Sequence, residues 1–454
     1  MKKGDIGEGL ISKVSFPNKG LIITEDTRIT VKNGMPGQRV RFQVNKKKKN
    51  KLEARLLEVL EKRPDEEAPY CSIFPSCGGC MYQTMPYEKQ LDMKAEQIRE
   101  LLDPVIAAAG QIDAEGKAEY QFEGVIPSPS RFHYRNKMEY SFGDEYKDGP
   151  LALGLHKKGS TYDVLSACDC QIVHEDFNRI VKATLEYFQS QNLPFYHKMS
   201  HEGYLRHLLL RRSEANGTIL AALVTTTQSD FDLNQWKNLL LSLKLEGELT
   251  GILHISNDSL ADVVKSDQTE ILYGTDTIQE ELLGLKFQIT PFSFFQTNSR
   301  GAEVLYSAAR EFIGNVEHAT VFDLYSGTGT IAQVLAPSAG KVIGVEIVEE
   351  AVEAAKVNAG LNRLTNCTFL AGDVLKVLDT IPERPDFMIL DPPREGIHPK
   401  ALPKIIDYGA DRIVYISCKP SSLAVDLGML LGRGYCVDKV RCVDMFPGTV
   451  HVET

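Results

Sequence analysis

Two segments near the end of the chain hold the residue types best suited to covalent chemistry on a planar ring. Asp391-Pro392-Pro393-Arg394 follows the apolar run Phe387 to Leu390, and Cys418 closes a second run, IVYIS, just before Lys419 and Pro420. Consecutive prolines impose an extended backbone, which holds Asp391 at the end of its strand. A lone cysteine at a strand end is ordinarily a small core residue. Its chemistry gives Cys418 a second reading. Carbon 5 of a uracil is a poor nucleophile, and a thiolate that adds to carbon 6 converts the ring into an enolate able to attack an electrophilic methyl group. A carboxylate must then take the proton from carbon 5 before the thiolate can leave. Glu453, in DMFPGTVHVET, is the candidate, and the strand Cys442 to Phe446 ahead of it is expected to return to the sheet edge. The competing reading of Glu453 is a solvated penultimate residue at a free terminus.

A site for a methyl donor lies upstream. In VFDLYSGTGT, Asp323 and Tyr325 end a strand, and Gly327 and Gly329 form a tight turn that opens a helix. Glu346 closes the next strand, 23 residues after Asp323, and suits an acceptor for ribose hydroxyls. A bare Gly-x-Gly turn is also compatible with a nicotinamide dinucleotide. A carboxylate directly ahead of the turn would repel a pyrophosphate, however, and could hold an amino group, which favours a nucleoside without phosphate. Asp373 follows one strand later.

These residues need a sheet to hold them. From about residue 285 strands and helices alternate, the pattern of a doubly wound parallel sheet, with strands expected at Val321–Tyr325, Lys341–Glu346, Cys367–Gly372, Phe387–Asp391 and Arg412–Cys418. The first 63 residues alternate apolar and polar in short runs (Gly9 to Phe16, Gly20 to Thr24, Arg28 to Val31, Gln38 to Val44, Leu52 to Leu60), as in a small β-barrel, with Lys46 to Lys51 as a hairpin tip. Between them, residues 64–280 combine a cysteine-rich loop, an amphipathic helix from Tyr87 to Leu102, a helix from Phe177 to Gln189 and strands such as Lys137 to Phe142 and Leu220 to Thr225, a mixed α+β middle.

The 454 residues, 43% hydrophobic and 25% charged, exclude a disordered chain and call for several domains. No uncharged apolar run is long enough to span a membrane, and no apolar stretch follows Lys2 and Lys3 as in a leader, so a cytoplasmic location is expected. The net charge of −10 is uneven: residues 1–63 carry 16 Lys and Arg against 7 Asp and Glu, and the remainder carries 35 against 54. That asymmetry fits a basic module facing nucleic acid, or a solvated lysine-rich hairpin. Nine cysteines in a reducing compartment point to metal or catalysis rather than disulfides. Cys71, Cys77 and Cys80 form C-x5-C-G-G-C, and a fourth thiolate would come from Cys168 or Cys170. Zinc is one candidate for such a set.

FSFFQTN, DLYSGTGT, DPPREG, SCKP and the closing FP-x-T-x-H-x-E together resemble the RNA 5-methyluridine methyltransferase family along nearly the whole chain, most closely its iron–sulfur-containing 23S ribosomal RNA members. The resemblance implies a class I methyltransferase sheet over 281–454, an RNA-binding TRAM-like barrel over 1–63, and a central domain over 64–280. It implies S-adenosylmethionine as methyl donor, with Gln296, Gly327, Tyr325, Glu346, Asp373 and Asp391 at the cofactor or target. Cys418 would be the nucleophile and Glu453 the base. Cys71, Cys77, Cys80 and Cys170 would hold a [4Fe-4S] cluster, and the substrate would be 23S ribosomal RNA, or alternatively tRNA, acted on by a monomer. The D-P-P tetrad also resembles enzymes that methylate base amines, for which Cys418 would be packing, and a noncatalytic RNA-binding factor is the remaining alternative. Two departures stand out: Lys419 replaces the family's usual Asn, and relatives continue beyond Glu453 into a last strand. Y-R-N-K (Tyr134 to Lys137) and L-R-H-L (Leu205 to Leu208) also match the family and would either grip RNA or serve packing.

Overall fold

The computed structural model describes residues 1–24, 27–48, 51–261 and 263–454. The chain divides into two compact units. The first comprises residues 1–69, 80–128 and 390–454, and the second 70–79 and 129–389.

The first unit begins with β1 (Ile6–Leu10), β2 (Lys13–Ser15), β3 (Lys19–Ile23), β4 (Arg28–Lys32), β5 (Arg39–Lys48) and β6 (Lys51–Glu61), which form one sheet in the order β1-β5-β6-β4-β3-β2. Alternation sets its inner face: Val40, Phe42 and Val44 are buried on β5 while Arg39 points outward. The expected strand from Gly9 to Phe16 divides, because the Ile11 N–H donates to Gln38 O and the next residue, Ser12, donates to Leu21 O. The expected barrel is a curled sheet. Register shifts at three places between β5 and β6 bend it, but no ladder joins its edges β1 and β2 among the described residues. Lys48 pairs with Lys51 across the expected hairpin tip, whose Lys49 and Asn50 lie outside the described residues.

Helix α1 (Tyr87–Ala108) runs well past its expected end at Leu102. Pro104 lies inside it, yet Leu102 and Ile106 on either side bury into one apolar cluster with Leu423, Val440 and Val452, and that packing carries the helix onward. Strand β7 (Gln121–Ile126) follows.

The second unit contains β8 (Lys137–Asp144), β9 (Leu151–His156), β10 (Val164–Ser166), α2 (Glu175–Gln191), β11 (Leu205–Arg212), β12 (Thr218–Thr225), α3 (Asn234–Ser242), β13 (Glu248–Ser256) and β14 (Gln268–Gly274). Its strands form a seven-stranded sheet, β10-β9-β8-β11-β12-β13-β14, antiparallel in the registers described except where α3 crosses over between parallel β12 and β13. Arg206 on β11 is buried, stacks on Tyr196 and donates to the carbonyls of Asn257, Ser259 and Ala261. Its guanidinium is thus committed to internal carbonyls, which is the packing reading of L-R-H-L.

After the hairpin β15 (Ile278–Leu282) and β16 (Leu285–Ile289) come α4 (Ser299–Ile313), β17 (Val316–Leu324), α5 (Thr330–Leu335), β18 (Ala339–Glu346), α6 (Glu349–Leu361), β19 (Cys367–Ala371), α7 (Val374–Val377) and β20 (Phe387–Leu390). The strand order is β19-β18-β17-β20, parallel between β17, β18 and β19, so the order reverses at β17. The carboxyl end of β17 is therefore the place where a doubly wound sheet opens a crevice for ligand.

The last residue of β20, Leu390, belongs to the first unit, where its carbonyl accepts from Ile416 N–H just beyond β21 (Arg412–Tyr415). Helix α8 (Ala401–Asp407) precedes β21, and α9 (Pro420–Gly432) follows it. Strand β22 (Lys439–Val443) corrects the expectation for the chain's end. It pairs in parallel with β7 rather than with the large sheet, and it stops at Val443 rather than running to Phe446. Among the described residues no helix is long and apolar enough to cross a membrane.

Replacing Arg206 by Met should destabilise the second unit by roughly 3 kcal/mol in denaturant unfolding, because three carbonyls, that of buried Asn257 among them, lose their donor. RNA affinity should keep the same salt dependence. A shallower salt slope with unchanged stability would mean that Arg206 grips phosphate instead.

Candidate active site

Within the first unit, Cys418 sits at a bend between the end of β21 and α9. The N–H of Ser417 donates to Thr454 O, and the N–H of Thr454 donates back to Ser417 O. One residue earlier the pattern repeats on the other side: Val443 N–H donates to Glu453 O at 2.8 Å and Glu453 N–H to Val443 O at 3.0 Å. The segment 453–454 is thus threaded between the end of β22 and the Cys418 loop. Glu453 is only 5% exposed, which removes the solvated-terminus reading. Lys419 makes no capping hydrogen bond with its side chain. Its backbone N–H instead donates to Ser417 Oγ, and Pro420 opens α9 at the first helical position, where its missing donor costs nothing.

The electrostatics converge on the thiol. Burial pushes Glu453 up to about 8, with the neighbouring Asp391 adding to the shift and Arg394 opposing it. Burial alone pushes Asp391 up to about 7. The Cys418 thiol is raised by burial first and then by the charge of Glu453, while the Arg394 guanidinium pulls it down by charge and by a hydrogen bond. The site therefore joins a thiol to two carboxyl groups whose protonation changes near neutrality, with a guanidinium whose charge favours the thiolate form. Arg394 had no assigned role in the sequence, although it stood in view directly after the two prolines. Its loop is held from α9: Ser422 Oγ donates to Arg394 O at 2.8 Å, and the buried carboxylate of Asp426 accepts from Ile397 N–H at 2.8 Å and from Tyr415 OH at 2.6 Å.

The second unit supplies the edge read as a cofactor site. Tyr325 adopts φ +68°, an uncommon conformation for a residue with a side chain, and its N–H and that of Ser326 both donate to Val345 O. Buried Asp323 accepts from Ala332 N–H at 2.9 Å, which ties the strand end to the first turn of α5. Glu346 accepts from Gly327 N–H through one oxygen and from Ile347 and Val348 N–H through the other. Gly327 and Gly329 both have positive φ, and a Cβ on Gly329 would lie 2.5 Å from Phe369 and 2.9 Å from Ala355. An acidic acceptor, a glycine turn and exposed apolar side chains at Phe294 and Ile347 suit a nucleoside: the carboxylate for ribose hydroxyls, the apolar groups for a base. Asp373 caps α7, accepting from Leu375 N–H.

Gln296 lies in a segment strapped from behind. Asn136 Nδ2 donates to Gln296 O and to Ser299 Oγ, and Ser299 Oγ donates to the buried carboxylate of Glu280. Arg211, buried and lowered to about 10 by desolvation, donates to Thr290 O and Ser293 O. Asn136 of Y-R-N-K therefore positions the Gln296 segment, a role that sequence spacing had no means of revealing across 160 residues.

Among the cysteines, Cys170 is buried, and burial raises its thiol to about 11, with Cys71 and Cys77 contributing charge. Cys168 responds instead to burial, Asp169, Lys182 and Glu186. Among the described residues, no group of three or more His, Cys, Asp or Glu is arranged to hold a metal ion.

Comparison with known proteins adds three findings. A protein-family profile described as a methyltransferase domain matches residues 315–425. Two proteins named uncharacterized RNA methyltransferase, from Clostridium tetani and Clostridium acetobutylicum, are 49% and 48% identical to the chain over its full length, each covered to 97%. The crystal structure of the Pyrococcus abyssi tRNA (uracil-54, C5)-methyltransferase in complex with S-adenosyl-L-homocysteine superposes with a TM-score of 0.75 at 25% identity, covering 98% of both chains.

Two outcomes follow from the geometry. Gly329→Ala should destabilise the turn by roughly 2 kcal/mol and weaken nucleoside binding, measured by thermal unfolding and calorimetric titration; unchanged melting would contradict the positive-φ requirement. The second concerns pH. Glu453 keeps a proton in the folded chain up to about 8, where the unfolded chain releases it near the ordinary 4.5, so its contribution is fullest at low pH and falls as pH rises between those values. Glu453→Gln should flatten that part of the curve of unfolding midpoint against pH.

Proposed function

Since the chain belongs to the RNA methyltransferase family, we propose that it transfers a methyl group from S-adenosylmethionine to carbon 5 of a uridine through a covalent adduct on Cys418. The observation that carries this reading is the convergence of Glu453, Asp391 and Arg394 on one thiol within one unit. Methylation of a base amine has no use for that thiol or for a second carboxyl beside it.

Asp323, Tyr325, Gly327, Glu346 and Asp373 would hold S-adenosylmethionine, which would supply the electrophilic methyl group. The residues of the chain do the rest. Arg394 favours the Cys418 thiolate, which adds to carbon 6 of the uracil, and the ring electrons move to carbon 5 and its carbonyl as an enolate. Carbon 5 takes the methyl group and then carries both methyl and hydrogen. Glu453 as carboxylate removes that hydrogen as a proton, the double bond re-forms, and the carbon–sulfur bond breaks with its electron pair returning to Cys418. Gln296 and Asp391 are proposed to orient donor and target. A uridine must leave its stack to reach such a thiol, so loops and single strands are the favoured substrates.

We assign 23S ribosomal RNA as the first substrate to test, supported by the basic strand-rich N-terminal sheet and the cysteine pattern. tRNA is the second, because the archaeal tRNA enzyme matches along 98% of the chain. A [4Fe-4S] cluster is proposed on Cys71, Cys77, Cys80 and Cys170. Its support is the sequence pattern C-x5-C-G-G-C with the later Cys170. The cluster takes no part in the methyl-transfer steps.

Incubating anaerobically purified protein with labelled S-adenosylmethionine and unmodified 23S ribosomal RNA or tRNA transcripts should give labelled 5-methyluridine after digestion, and none with Cys418→Ala. Label on an adenine or guanine amine, surviving Cys418→Ala, would overturn the mechanism. With Glu453 as base, turnover should rise as pH increases through about 8. Iron and sulfide assays on the same anaerobic preparation should find both, lost together in Cys170→Ser and retained in Cys168→Ser.

A further inference from the structure

Helix α1 carries a stripe of buried polar side chains, Gln90, Lys94 and Gln97, at the spacing that places residues on one helical face. Gln97 Nε2 donates to Val14 O on β2. Gln90 Nε2 donates to Tyr82 O and Met85 O, while its Oε1 accepts from Gly448 N–H at 2.9 Å. Gly448 O in turn accepts from Met81 N–H and Tyr82 N–H at 2.7 and 2.8 Å. Lys94 Nζ meets Asp444 Oδ1 at 2.7 Å, with both side chains at 0% exposure.

An ion pair buried this completely is a poor stabiliser, since desolvating two charges costs about as much as their attraction returns. Asp444 Oδ2, moreover, is buried with no hydrogen-bond partner among the described residues. The pair's position is more informative than its energy. Asp444 directly follows Val443, whose N–H and C=O make the two hydrogen bonds that hold Glu453. Segment 444–448 is thus pinned to α1 at both ends, by Lys94 at Asp444 and by Gln90 at Gly448, and it forms the near side of the loop that returns with Glu453.

We infer that Lys94 and Gln90 are positioning residues for Glu453, so that α1 governs release of the methylated RNA rather than methyl transfer itself. The inference rests on the uridine reading above. In that mechanism Glu453 acts only after the methyl group is in place. It takes the carbon 5 proton, the carbon–hydrogen electron pair becomes the ring double bond, and the carbon 6–sulfur bond breaks to return a thiolate on Cys418. A displaced Glu453 leaves thiolate addition and methylation intact and strands the RNA on the enzyme.

The test uses the full chain with Lys94→Met combined with Asp444→Asn, which removes both charges together, and separately Gln90→Met at the other end of the segment. First-turnover methylation of RNA should stay within about twofold of the parent chain, steady turnover should fall about tenfold or more, and a denaturant-resistant protein–RNA adduct should accumulate. Normal turnover without adduct in a folded variant would overturn the inference, as would equal loss of first-turnover methylation and adduct. If the double variant fails to fold, Gln90→Met decides by the same readouts. RNA carrying 5-fluorouridine provides the control, because fluorine at carbon 5 cannot be removed as a proton. If the parent chain is not trapped on it, the uridine reading falls and takes the inference with it. Trapping on it together with normal turnover of the variants overturns the inference alone.

Discussion

A carboxyl group buried against a thiol is the constraint around which the first unit is organised. Left in water, Glu453 would be an ordinary acid, ionised near neutrality. Burial raises it to about 8 and also raises the Cys418 thiol, which the Arg394 guanidinium pulls back down. Neither shift comes free of structure, because a buried acid must be held in place by something other than its own charge. The holding is done by backbone: four hydrogen bonds thread residues 453–454 between Val443 and Ser417.

The rest of the unit can be read as support for that threading. Strand β22 pairs with β7 and ends where Glu453 is received, α9 clamps the Arg394 loop through Ser422 and Asp426, and α1 packs Leu102 and Ile106 against Leu423, Val440 and Val452. Such supports leave the active groups few alternative positions, which is what catalysis by orientation requires. The second unit uses different means to a similar end. At the crevice of its parallel sheet, backbone N–H groups organise Glu346, positive φ angles shape the turn, and the Gln296 segment is fixed from behind by Asn136, Arg211 and the buried Glu280.

The parts legible in the sequence were those written in local patterns. The parallel strands carrying Asp323 and Glu346 declared themselves through apolar runs ending in acids and glycines, and each lies within a few residues of its expected limits. Strand Gly9 to Phe16 did not, because its split depends on Ile11 and Ser12 choosing different partners, which only the assembled sheet decides. Alternation likewise marks a half-buried sheet but does not determine whether its edges meet, and among the described residues no ladder joins β1 and β2. Glu453 was visible as a candidate yet invisible as a buried one, since Val443, which bridges it, lies 10 residues away along the chain, and Ser417, which bridges the next residue, Thr454, lies 37 residues from that residue. Asn136 and Arg206 looked equally like RNA contacts and packing groups, and the carbonyls that claim them are remote in sequence.

The claim on which the account rests is that the hydrogen at carbon 5 of a uridine leaves as a proton. The measurement that tests it most directly is release of tritium to water from RNA labelled at carbon 5 of uridine, counted against methyl groups transferred from S-adenosylmethionine. The account predicts one tritium released for each methyl group incorporated. Methyl incorporation without tritium release would place the methyl group elsewhere on the RNA and would leave Cys418 and Glu453 without the roles assigned to them.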